Sequence, residues 1–185
     1  MKKITAIFIF CLVLFTVGGY AQKINQTAPK FSSRYTNLKR DCKSEPGDEN
    51  GTDGSSECRG VGGYQIFIWY SAAAEMIAAE RSDNTAESFL LDTHDIFSDY
   101  SKFKIEWRMA NGKPFAVIMR VFKYGDEKKN EYDYWGKKIG EELKVIGLKG
   151  FENINFTVDA KTPDANVKAR ELADNGFLQN RKANS

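Results

Sequence analysis

The chain has 185 residues, with 27 Lys plus Arg against 25 Asp plus Glu and a formal net charge of +2. If the first 21 residues are removed, the loss of Lys2 and Lys3 leaves 25 cations against 25 anions, a net charge of zero. That balance counts against a nucleic acid as partner, because phosphate binding needs a surplus of cations on at least one face.

Residues 1–21 read as a cleavable signal peptide. Lys2 and Lys3 form a positive start, Ile4 to Val17 are apolar and uncharged, and Gly18, Gly19 and Ala21 supply small residues before a mature chain that begins at Gln22. The apolar stretch, about 14 residues, is short of the roughly 20 that span a membrane, and no later segment approaches that length, so no stable membrane span is expected after cleavage. Cys11 lies inside the stretch behind Phe10, which is unlike a lipoprotein signal. The expected location is the periplasm or the extracellular space. Cys42 and Cys58 then remain as an even pair in an oxidising compartment, and a disulfide between them is expected. Zinc is the weaker alternative, because two thiols and the single histidine do not make four ligands.

In chain order, residues 22–40 read as a flexible N-terminal arm, 41–178 as a single α+β domain, and 179–185 as a flexible tail. Glu45, Asp48, Glu49, Asp53 and Glu57 make an acidic loop between the two cysteines. Its Asp48 to Gly54 portion has the flavour of a calcium loop, but Asp53 stands where the EF-hand template needs glycine. A tethered acidic loop is the default reading. Gly60, Gly62 and Gly63 precede a strand rather than following one, so they read as turn glycines and not as a phosphate cradle. Tyr64 to Tyr70 reads as a strand by its aromatic and β-branched content. Ser71 to Arg81 is ambiguous: its alanines favour helix, whereas its place after a strand favours a hairpin partner, the reading preferred here. Thr93 to Asp99 reads as a short helical turn.

The clearest pattern follows. Phe103, Ile105, Trp107 and Met109 alternate with Lys102, Lys104, Glu106 and Arg108, as in a strand with one buried face. Asn111-Gly112 supplies a hairpin turn, and Phe115 to Phe122 is apolar on both faces apart from Arg120, which predicts a central strand. Pro114 belongs at that strand's first position or at a bulge. Glu142 to Leu148 and Ile154 to Val158 read as a second hairpin joined by Lys149 to Asn153. A C-terminal helix is predicted with Thr162 as cap, Pro163 in the first helical position and Gly176 closing it, and with Ala165, Ala169, Leu172 and Ala173 along one face. The sum is an α+β domain: an antiparallel sheet of about five to six strands, a helix packed on one face and one disulfide.

Cys58-Arg59-Gly60-Val61-Gly62-Gly63-Tyr64, Glu106-Trp107-Arg108 with Gly112-Lys113-Pro114-Phe115-Ala116 and Arg120, and Ala169-Arg170-Glu171-Leu172-Ala173-Asp174 together resemble a group of small secreted bacterial proteins whose function is not known. The resemblance spans roughly Cys42 to Asp174. It implies a shared fold and bacterial export, and carries over no activity and no functional residue.

No catalytic, metal or cofactor motif stands out. His94, flanked by Asp92 and Asp95, is the sole histidine through which a triad mechanism could pass, yet no serine sits in a nucleophile-elbow context. Glu106, Arg108 and Arg120 fall on neighbouring strands, where opposite charges pair favourably. They read first as a charge ladder, and otherwise as a binding surface for a carboxylate or glycan aided by Trp69 or Trp135. The expected function is a non-enzymatic binding or interaction domain of the cell envelope, with an unidentified envelope or extracellular protein or glycan as partner. The alternative is a small exported hydrolase using Asp92, Asp95 and Glu106.

Overall fold

A computed structural model describes residues 28–45, 54–71, 74–83, 88–95, 103–126 and 135–183. Among these, ten strands and one helix stack in three layers. β1 (Phe31–Asn37) leads into a run of five strands, β2 (Cys42–Glu45), β3 (Gly54–Arg59), β4 (Tyr64–Tyr70), β5 (Ala74–Arg81) and β6 (Ser88–Asp95). These five pair antiparallel in sequence order as one sheet. β7 (Lys104–Ala110), β8 (Lys113–Tyr124), β9 (Lys138–Gly147) and β10 (Asn155–Asp159) complete the second sheet, in which β1 lies beside β7. α1 (Ala165–Ala183) packs on the far side of that second sheet, over β8, β9 and β10.

The single sheet of five to six strands expected from sequence is thus two sheets of five. The physical reason lies in β8. Both its faces are apolar, with Val117, Met119 and Val121 turned to the facing sheet and Phe115 and Ile118 turned to the helix. A strand buried on both sides needs a cover on each, and the β2–β6 meander supplies one of them. The predicted hairpin holds: Phe103, Ile105, Trp107 and Met109 are all buried, and Asn111 and Gly112 turn with φ of 50° and 82°. Pro114 sits at a bulge, where the register shifts from Arg108↔Ala116 to Met109↔Pro114. The second hairpin is β9–β10, and β5 settles the ambiguous stretch as strand.

Four expectations change. Residues 31–37, assigned to a flexible arm, form β1 and pair along its whole length with β7. Thr93 to Asp95 end a strand rather than open a helical turn; residues 96–99 lie outside the described residues, as do most of the acidic loop, 46–53, and the signal segment. The helix begins at Ala165, after Asp164 in a left-handed turn at φ 55°, so Thr162 and Pro163 precede it. It also runs on through Gly176 to Ala183, replacing most of the predicted tail. Gly176 serves packing instead of termination, since a Cβ there would lie 2.7 Å from Cγ1 of the buried Ile154. Ala165, Ala169 and Ala173 continue the same close stripe.

The disulfide joins Cys42 and Cys58, directly opposite each other on β2 and β3. In the following turn Gly62 abuts Pro114, Gly60 lies against the Tyr64 carbonyl where a Cβ would not fit, and Gly63 takes a left-handed φ of 85°, so the glycine cluster answers to packing and turn geometry.

Candidate functional site

The five side chains named for a binding surface fall in three places. Glu106 and Arg108 face the helix, and each holds it by an ion pair. Arg108 donates from Nε to Asp174 Oδ1 at 2.7 Å and from Nη2 to Oδ2 at 2.6 Å, and its Nη1 reaches Ser33 Oγ at 3.0 Å. Arg170 donates from Nε to Glu106 Oε1 at 2.7 Å and from Nη2 to Oε2 at 3.0 Å, and its bond to Glu106 raises its affinity for a proton above the usual arginine range. Such two-point arginine–carboxylate pairs fix orientation as well as charge. Arg120, half exposed, pairs with Glu141 at 3.2 Å on the adjacent β9. The cross-strand ladder among Glu106, Arg108 and Arg120 is therefore replaced by separate partners, two on the helix and one on β9. Trp135 packs on Tyr124 at the end of β8, ring centroids 5.3 Å apart.

Trp69 lies elsewhere, on the outer face of the β2–β6 sheet. In β4, Tyr64, Ile66 and Ile68 point inward to the core, and Gln65, Phe67 and Trp69 point outward. Phe67 and Trp69 stack, with ring centroids 5.8 Å apart and planes 17° from parallel. Register places Met76 beside Trp69 and Ala78 beside Phe67, and Leu90 beside Ala78. Met76 is 42% and Leu90 58% exposed. Around these apolar groups the outward rows of the strands carry Lys43, Glu45, Glu57, Arg59, Glu80 and Asp95, two cations and four anions. Sequence reasoning missed Phe67, Met76 and Leu90. The signal was present in β4: a strand apolar at every position but Gln65 has no polar face to give to water.

A third cluster joins the sheets at the opposite edge of the sandwich. A bulge in β6, between the pairs Ile77↔Asp92 and Ala78↔Leu90, turns consecutive Leu91 and Asp92 both inward. Asp92 there accepts from Lys144 Nζ of β9 at 2.7 Å. His94, fully buried, has Nε2 3.2 Å from Glu75 Oε1 and Nδ1 3.5 Å from Asp92 Oδ2. Burial would depress its pKa, but Asp92 and Glu75 outweigh burial and hold it above its ordinary value. The three carboxylates of the hydrolase reading do not meet in one cleft. Asp92 lies between the sheets, Glu106 lies under the helix, and Asp95 turns to the side of β6 away from Asp92. Among the described residues no group of three or more His, Cys, Asp or Glu is placed to hold a metal ion.

No protein-family model, curated protein or solved structure matches the chain. Among the described residues no helix is long and apolar enough to cross a membrane.

Proposed function

We propose that the chain is exported and that its mature part is a non-enzymatic binding domain of the cell envelope or the space outside it, engaging a protein through the outer face of the β2–β6 sheet. The observation that carries this reading is an apolar group on the outer face of the β2–β6 sheet, exposed Met76 and Leu90 beside the half-buried stacked pair Phe67 and Trp69, on a face that no element among the described residues covers. Exposed apolar patches with a polar rim mark protein contacts, and aromatic residues and methionine are enriched at their centres. The rim, two cations against four anions, suits another protein surface rather than a polyanion. Export is supported by the signal-like residues 1–21 and by the Cys42–Cys58 bond, which belongs to an oxidising compartment. The resemblance to small secreted bacterial proteins points the same way.

The test is affinity capture from envelope extract with the oxidised mature domain, run beside Leu90→Lys and Met76→Lys variants and a Lys104→Gln control. A discrete protein held by the parent and the control but lost from both face variants, with unfolding midpoints unchanged, is the expected result. Equal capture by all four, or a parent that only associates with itself in light scattering, would overturn the reading.

A further inference from the structure

Cys42 and Cys58 are bonded to each other, and Met1 and Cys11 lie inside the residues read as a signal peptide, so the reduced sulfur of the mature chain is that of Met76, Met109 and Met119. We infer that Met76 is a redox modification site, oxidised to the sulfoxide by peroxides in the folded protein, and that its oxidation releases a protein bound to the outer face of the β2–β6 sheet. The second half of this inference rests on the reading of that face given above.

Position separates the three thioethers. Met109 and Met119 belong to the core between the sheets, 2% and 1% exposed. Met76 is 42% exposed, in the outward row of β5, where register sets it between Trp69 of β4 and Thr93 of β6. A thioether is oxidised where oxidant and water reach its sulfur, so exposure orders the rates. With hydrogen peroxide the O–O bond breaks and an S–O bond forms at Met76 Sδ. The sulfur gives up two electrons, the peroxide takes them, and water leaves. A compartment in which the Cys42–Cys58 bond persists lacks the thiol reductants that keep cytosolic sulfur reduced.

Place also decides the consequence. Trp69 is directly across from Met76, and Phe67 and Leu90 stand one outward step along the neighbouring strands, so Met76 is central to the apolar group. A thioether is soft and apolar, as such a surface requires. A sulfoxide carries an acceptor oxygen that has to give up its water when a partner closes over the face. Because the change lies outside the core, the contact is lost and the fold keeps its stability.

The test treats the disulfide-bonded mature domain with hydrogen peroxide, maps the added oxygen by fragment-ion mass spectrometry, and repeats affinity capture from envelope extract. In the native protein Met76 should take up oxygen about tenfold faster than Met109 and Met119, with the three rates converging in denaturant. Capture by the singly oxidised chain should fall about tenfold from that of its unoxidised form, with the unfolding midpoint unchanged, and a methionine sulfoxide reductase should restore it. Met76→Leu, compared with its own untreated form, should lose no capture on treatment. Oxidation of Met109 or Met119 as fast as Met76 would overturn the site. Equal capture before and after oxidation, or a peroxide-induced loss that persists in Met76→Leu, would overturn the switch and leave the binding face standing. A parent that captures nothing before treatment would instead overturn the reading of the face, and the switch with it.

Discussion

Trp107 and Trp69 stand on strands of the two facing sheets, and their surroundings could hardly differ more. Trp107 is fully enclosed between the sheets, and its indole N–H is satisfied by Thr36 Oγ1 at 2.9 Å, which in turn donates to the Arg59 carbonyl of the other sheet. Trp69 turns outward beside Phe67 and Met76. The sheet that carries Trp107 has both faces covered, one by the other sheet and one by α1, and even its charged residues Glu106 and Arg108 are used to seat the helix. The sheet that carries Trp69 spends one face on the core, and among the described residues no element covers the other. Where a face is covered, a side chain's chemistry goes into stability; where it is bare, the same kinds of side chain are available to a partner.

That contrast can be broken or sharpened by substitution. The largest loss should come from Trp107→Ala, about 3 to 5 kcal/mol by chemical denaturation, from lost burial and the cavity left behind. Replacing both Cys42 and Cys58 with Ser should cost about 2 to 4 kcal/mol, again read by denaturation, because the bond constrains the unfolded chain. Arg108→Ala should cost about 2 to 3 kcal/mol, since Asp174 is left mostly buried without its partner, and partner capture should survive it. His94 supplies a pH arm. Its native pKa lies above the unfolded value near 6.5, so its stabilisation is full below that value and fades as pH rises through the native pKa. Denaturation profiles from pH 5 to 9 should show this decline in the parent and lose it in His94→Asn. Trp69→Ala should change stability least, by under about 1 kcal/mol, while abolishing capture. If Trp69→Ala proved as damaging as Trp107→Ala, the outer face would be structural and the comparison would fail.

Much of the fold was legible because the strongest rules are local. Alternation at Phe103 to Met109, the Asn111-Gly112 turn and the doubly apolar return strand each name their own conformation. The number of sheets was not legible, since no short-range pattern says which layer covers which face. Gly176 misled for a related reason: glycine ends helices by its freedom in φ, but here it is chosen for what it lacks, a Cβ against Ile154. At the candidate site, Arg108 and Glu106 were visible as a charged pair in sequence, while their partners Asp174 and Arg170 lie more than 60 residues away. The pairing was hidden by that separation. Lys144 and Asp92 were likewise beyond reach, because the bulge that turns Asp92 inward has no signature of its own.

The threading of β2 through β6 between β1 and β7 has a kinetic consequence. β7 to β10 and β2 to β6 are meanders whose neighbours in the sheet are neighbours in the chain, so each can zip from its own turns. β1 cannot: the pair Asn37↔Lys104 closes a loop of 66 residues. Relative to a two-residue turn, that closure carries about 3 kcal/mol more chain entropy, set against it only when seven residue pairs and the Thr36–Trp107 contact form together. On chain entropy β1 is therefore the strand expected to join last in folding, and once it has joined, Thr36 ties the two sheets by its bonds to Trp107 and to the Arg59 carbonyl.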